Sequence, residues 1–200
     1  LWSSADNVDF AGKHYRMKKG FVSPKPISGR PILVNASSSG AGVAFAAKHS
    51  DLLFITRPAG EDVYGLLRAH NAKIKEQAAG LGHQVRTIIN PHVICADTEK
   101  EAKARRQAFI DNADPVALEN FFKFITGGDT VSWKGAIRDD LAVGGNMQMV
   151  GTPEQVVEKM LKLHECGIDG IQVNFYDYLP DLEYFGERVL PLMKQVGLRN

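Results

Sequence analysis

The chain is poor in the residues that mark several large functional classes. Of its 200 residues only two are cysteine, Cys95 and Cys166, far apart and in no C-x-x-C pattern. Neither a disulfide framework nor a cysteine-based metal motif is indicated, and a reducing, cytoplasmic setting is the default expectation. No apolar run approaches the length of a membrane span. Lys and Arg number 24 against 23 Asp and Glu, a net charge of +1. With so little charge of one sign, no global field draws the protein toward nucleic acid or an anionic membrane. The first residues, LWSSADNVDF, lack the basic and apolar regions of a signal peptide. HExxH, a Ser-His-Asp order and a Gly-Lys-Ser/Thr phosphate loop are also absent. The chain starts at Leu1 rather than Met, so residues preceding it are expected. What remains is ordinary globular composition, 44% hydrophobic and 24% charged, and enough length for one domain with a real core.

Phe10, Tyr15 and Met17 fit a short hairpin around Gly12. The segment Ser23-Pro24-Lys25-Pro26, with Gly29 and Pro31, reads as a stiff extended lead-in. Short strands are predicted at Ile32–Asn35, Asp51–Ile55, Val85–Ile94 and Asp169–Asn174, the third interrupted by Pro91. Helices are predicted at Ala41–Lys48, Asp62–Gly80, Thr98–Asp111, Pro153–Cys166 and Asp181–Val196. Thr98 with Glu101, and Thr152 with Gln155, have the spacing of capping boxes. Thr126–Gly145, rich in glycine, reads as an irregular, mobile insertion. Short buried strands alternating with helices predict an α/β fold with a parallel sheet. Four such units make half of an eight-fold barrel or a small open sheet. In either, ligands bind at the C-terminal ends of the strands.

The most informative stretch is Ile32–Gly42, ILVNASSSGAG. A strand, a Ser/Gly turn and a helix start form an anion cradle: backbone N–H groups, hydroxyls and the positive end of the helix dipole converge there. A plain helix N-cap explains the serines as well. Gly40-Ala41-Gly42 supplies the G-x-G of a dinucleotide fingerprint, but Phe45 occupies the position that needs a small residue. The next strand ends at Arg57 rather than an acidic ribose ligand. His92, in Asn90-Pro91-His92, is either a core histidine or a pocket-lining hydrogen-bond donor. Arg138 is a solvated charge or, in a mobile lid, a group that closes over a polar substrate. Asp139-Asp140 reads as solvated surface. Phe175-Tyr176-Asp177-Tyr178 packs the core or walls a flat ring ligand.

Several stretches together resemble the bacterial luciferase-like flavin monooxygenases. They are Leu1-Trp2, Val8-Asp9-Phe10, Gly12-Lys13-His14-Tyr15, Asn35 to Gly42, Phe45-Ala46-Ala47, Val150 to Val156, Gly167 to Gly170, and Val189-Leu190-Pro191-Leu192. The branch is the one with pyrimidine, dimethylsulfone and alkanesulfonate monooxygenases. The resemblance implies the C-terminal half, strands five to eight, of a (β/α)8 TIM barrel, with 126–145 as a lid insertion and the N-terminal half elsewhere. It implies reduced FMN supplied by a separate reductase, and O2 as oxidant of a small organic substrate. Ser39, Ser38, Gly40 and Asn35 would hold the cofactor. His92, Asn90 and Arg138 would carry the catalytic roles, with Asn90 standing where sulfonate enzymes have an arginine and Phe175 where they have a pocket tyrosine. Barrels of this family commonly pair, so a homo-oligomer is expected. Two rival readings stay open: a deazaflavin-dependent hydride-transfer oxidoreductase, and a catalytically silent flavin-binding subunit.

Overall fold

The lead-in is pinned before the sheet begins. Arg30 forks onto both carboxylate oxygens of Asp51, at 2.6 and 2.7 Å, and the Leu33 N–H donates to the same group at 2.8 Å. These bonds, Arg30 foremost, hold the Asp51 carboxyl well below the usual carboxylate range. Ahead of this clamp lies the expected hairpin, β1 (Val8–Ala11) and β2 (Arg16–Gly20), antiparallel. The computed structural model describes residues 1–37, 39–58, 61–126 and 135–199, with the backbone alone for 125–126 and 135–138.

After the clamp come β3 (Val34–Asn35), α1 (Gly40–His49), β4 (Leu52–Phe54), α2 (Val63–Gly80) and β5 (Arg86–Ile89). Next are β6 (His92–Cys95), α3 (Glu99–Asp111), α4 (Pro115–Thr126), α5 (Gly135–Ala142) and β7 (Gln148–Gly151). The chain continues through α6 (Pro153–Glu165), β8 (Gly170–Ile171), α7 (Tyr178–Tyr184) and α8 (Leu190–Gln195). Strands β3-β4-β5-β8 form one parallel sheet and β6-β7 a second parallel pair. The α/β class and the parallel pairing agree with the sequence reading.

Four details differ. The strand expected at Val85–Ile94 breaks in two at Pro91, which has no N–H for a ladder. Its first half joins β4 and β8, and its second half turns to β7. The strand expected at Asp169–Asn174 keeps only Gly170–Ile171 and one bridge, His92 to Asn174. The insertion holds a helix, α5, and α4 precedes it. The last helix widens into a π-helical stretch, Phe185–Val189, just before Pro191 removes a ladder donor.

Register sorts the side chains into two faces. Leu53 is level with Asn35 and Thr87; Phe54 is level with Ile88, which is level with Gly170. The Leu53 face packs on helices: Leu67 and Ile74 of α2, and Val156, Met160 and Leu163 of α6, are all 3% exposed or less. Its polar groups are bonded. Fully buried Thr87 donates to Asn71 at 2.7 Å, and Asn71 donates to the Cys166 carbonyl at 2.9 Å. Among the described residues the Phe54 face carries no such helix layer, and Val34 on it is 51% exposed.

Candidate functional site

The residues two places beyond that inner row meet at the C-terminal ends of the strands. Ala36 follows Val34, Thr56 follows Phe54, Asn90 follows Ile88 and Gln172 follows Gly170. With Ser37 and Asn146 they line a cleft of about 320 Å³. Three carboxamides and two hydroxyls face one volume, and no charged side chain lines it among the described residues. Each carboxamide both donates and accepts, so the cleft suits a neutral polar edge.

The serine turn stands beside this cleft and shares Ser37 with it. Ser39 caps α1: its Oγ accepts from the Gly42 N–H at 3.1 Å, which leaves the hydroxyl hydrogen free to donate. A Cβ at position 42 would run into Ser37 Cβ and lie 2.6 Å from its Oγ, so the turn closes this tightly only around glycine. A Cβ at Gly40 would meet nothing within 4 Å, so that side is open. First-turn N–H groups of a helix have no intrahelical partner, and here they face the opening with the positive dipole end. Asn35 lies on the other face, level with Leu53, and its buried Oδ1 has no hydrogen-bond partner. Ser38 and the Arg138 side chain lie outside the described residues.

The structure separates Asn90 from His92. Asn90 lines the cleft, whereas the His92 ring stacks on Tyr176, centroids 4.9 Å apart, and Tyr176 stacks on Phe109 of α3 at 4.0 Å. Gly144, at φ +87°, lies against the imidazole; a Cβ there would be 2.8 Å from Nδ1 and closer still to Cε1. His92 Nδ1 and the Tyr176 hydroxyl are both buried without hydrogen-bond partners. Burial pushes the His92 pKa below its ordinary 6.5, so the ring is neutral at pH 7, and pushes Tyr176 up to about 12. Phe175 packs edge-on against Phe185, 5.6 Å away, in the helix-side core.

Sequence reasoning passed over Thr56, Asn146 and Gln172. Thr56 and Gln172 were findable by counting two positions beyond each inward strand residue. Asn146 was not, because a loop from another part of the chain brings it in. Among the described residues no group of acidic, histidine or cysteine side chains is arranged to hold a metal, and no helix is long and apolar enough to cross a membrane.

The sequence pattern of the family described as luciferase-like monooxygenase matches residues 1–170. The chain belongs to that family. A luciferase-like relative, the FMNH(2)-dependent dimethylsulfone monooxygenase of Pseudomonas fluorescens, is 35% identical over 98% of this chain and 55% of its own length. The pyrimidine monooxygenase RutA of Acinetobacter baylyi is 32% identical over 96% of this chain and 53% of its own length. Among solved structures, riboflavin lyase RcaE superposes with a TM-score of 0.82 at 22% identity, covering 97% of this chain and 49% of that one. DmoA from Hyphomicrobium sulfonivorans gives 0.80 at 21%, covering 98% and 48%. The chain therefore spans about half the length of the relatives it matches.

Proposed function

We propose that this chain is the C-terminal half, strands five to eight, of a luciferase-like (β/α)8 barrel, and that the whole protein is a flavin-dependent monooxygenase. On this reading β3, β4, β5 with β6, and β8 are the four barrel strands. The exposed inner face is where the other half closes the barrel. Reduced FMN, delivered by a separate reductase, would supply the chemistry by reacting with O2 and oxidising a small organic substrate.

The observation that carries the reading is the turn between β3 and α1. It is folded tightly enough to exclude a Cβ at Gly42, is open at Gly40, and is capped by a serine with a proton to give. Such a site holds a phosphate without a cationic side chain. Ser39, with Ser38 and the N–H groups at Gly40 and Ala41, would hold the phosphate. Asn90, Asn146 and Gln172 would orient the polar edge of whatever ring or substrate fills the cleft, and the wall they share would exclude water. Asn35 would steady the strand end beneath the turn. Neutral His92 would serve as a hydrogen-bonding wall toward the rim, and the 126–145 insertion, with Arg138, would cover the opening.

A flavin-fluorescence titration of the intact protein tests this. Ser39→Ala is expected to weaken FMN binding by roughly 1.5–3 kcal/mol, the range for a hydrogen bond to a charged group, while riboflavin binding stays unchanged. Equal FMN affinity in the variant would refute the phosphate role.

A further inference from the structure

We propose that Arg57 binds the anionic end of a small organic acid, a carboxylate or sulfonate, in a recess beside the cleft. The proposal rests on reading the cleft as the reaction chamber and adds the charge class of what enters it. Arg57 follows Thr56, at the C-terminal end of β4. With Tyr64, Asp140, Asn146 and Gln148 it lines a separate recess of about 200 Å³. Asn146 is the shared wall between recess and cleft. The cleft lining offers no charge, so an ionised substrate must be read at its margin.

Arg57 is under-neutralised where it stands. Its Nη1 is 3.6 Å from Asp140 Oδ2, an ion pair beyond hydrogen-bond length. Asp140 is already engaged: its Oδ1 accepts from Arg106 at 3.2 Å and from Gln148 at 3.1 Å. Arg106 Nε also donates to Gln148 Oε1 at 2.6 Å, which fixes the group. Two guanidiniums thus share one carboxylate and leave one positive charge over. Among the described residues Arg57 makes no hydrogen bond, and its side chain is 37% exposed. An unspent guanidinium fork beside a cavity matches the paired oxygens of an oxyanion. Asp140 acts as the resident counter-ion that a ligand must outcompete.

Methanesulfonate and dimethylsulfone are near-isosteric probes that differ by one charge. Methyl saturation-transfer NMR titrations of the intact protein are expected to give methanesulfonate binding at least tenfold tighter than dimethylsulfone. Arg57→Met should erase that preference and leave dimethylsulfone unchanged. Asp140→Asn should strengthen methanesulfonate binding severalfold, an opposite sign that a general loss of folding does not produce. Equal affinity for the two probes, or an Arg57→Met variant that keeps the preference, overturns the proposal. So does an Arg57→Met variant that loses tenfold in FMN affinity but none in riboflavin affinity, because the arginine would then be a cofactor phosphate ligand. If FMN fails to bind while methanesulfonate binds through Arg57, the flavin reading falls and the anion site stands.

Discussion

The two faces of the β3-β4-β5-β8 sheet come from alternate residues of the same strands, yet they are finished differently. On the helix side Leu53, Thr87 and Ile89 are 1% exposed or less, and buried Thr87 and Asn71 satisfy each other. On the inner side Val34 is half exposed, and Thr56, Asn90 and Gln172 point into a cleft. Stability resides in the first face and recognition in the second. A residue's parity along a two- to four-residue strand decides which job it has.

The comparison can be broken by substitution. The largest effect is expected from Leu53→Ala, which empties a fully buried site on the helix side; urea unfolding should show a loss of about 2–5 kcal/mol. Asn71→Ala should cost about 1–3 kcal/mol in the same measurement, since it strands the Cys166 carbonyl and leaves the Thr87 hydroxyl only its longer bond to Asp169, at 3.3 Å. A smaller effect belongs to His92. Its folded pKa is depressed, so as pH falls through the ordinary 6.5 the unfolded chain takes up the proton first, and stability declines from there toward acid. Replacing it, His92→Gln, should flatten that part of the stability–pH curve. The smallest effect is expected from Asn90→Ala, under about 0.5 kcal/mol in stability, with its consequence confined to ligand binding. If Asn90→Ala destabilised as much as Leu53→Ala, the division between faces would be wrong.

Local signals were legible where local physics decides. The capping boxes at Thr98 and Thr152 form with both reciprocal bonds, and the helices begin where they say. The serine cap of α1 was read as such and is made by Ser39, whereas Asp62, read as the first helical residue, is the cap of α2. One local signal was overlooked: Asp114 ahead of Pro115 accepts from the Val116 and Ala117 N–H groups at 2.8 and 3.1 Å and opens α4. Non-local outcomes were not legible. Pro91 announces a disturbed strand but not that the strand changes partners. β7 is four residues that become a strand by pairing with β6, far earlier in the chain. The cleft was half legible, because strand parity places Asn90 and Gln172 while the arrival of Asn146 depends on how a distant loop folds back. Arg57 and Asp140 look like ordinary surface charges until the fold sets them 3.6 Å apart.

Strands β6 and β7 pair in register along all four residues, and each runs straight into a capped helix. The chain therefore leaves the sheet after α3 and returns to the same staple at β7. Whatever lies between the two fixed joints is a cassette. Its last turn is tied to both anchorages, Gly144 against the His92 ring and Asp140 to Arg106 and Gln148, so the freedom to vary lies upstream of Asp139. Asn146 and Asp140 ride on that stretch while Arg57, Asn90 and Gln172 stay with the sheet, so cleft and recess are each closed from two separate parts of the chain, like a jaw hinged at one staple.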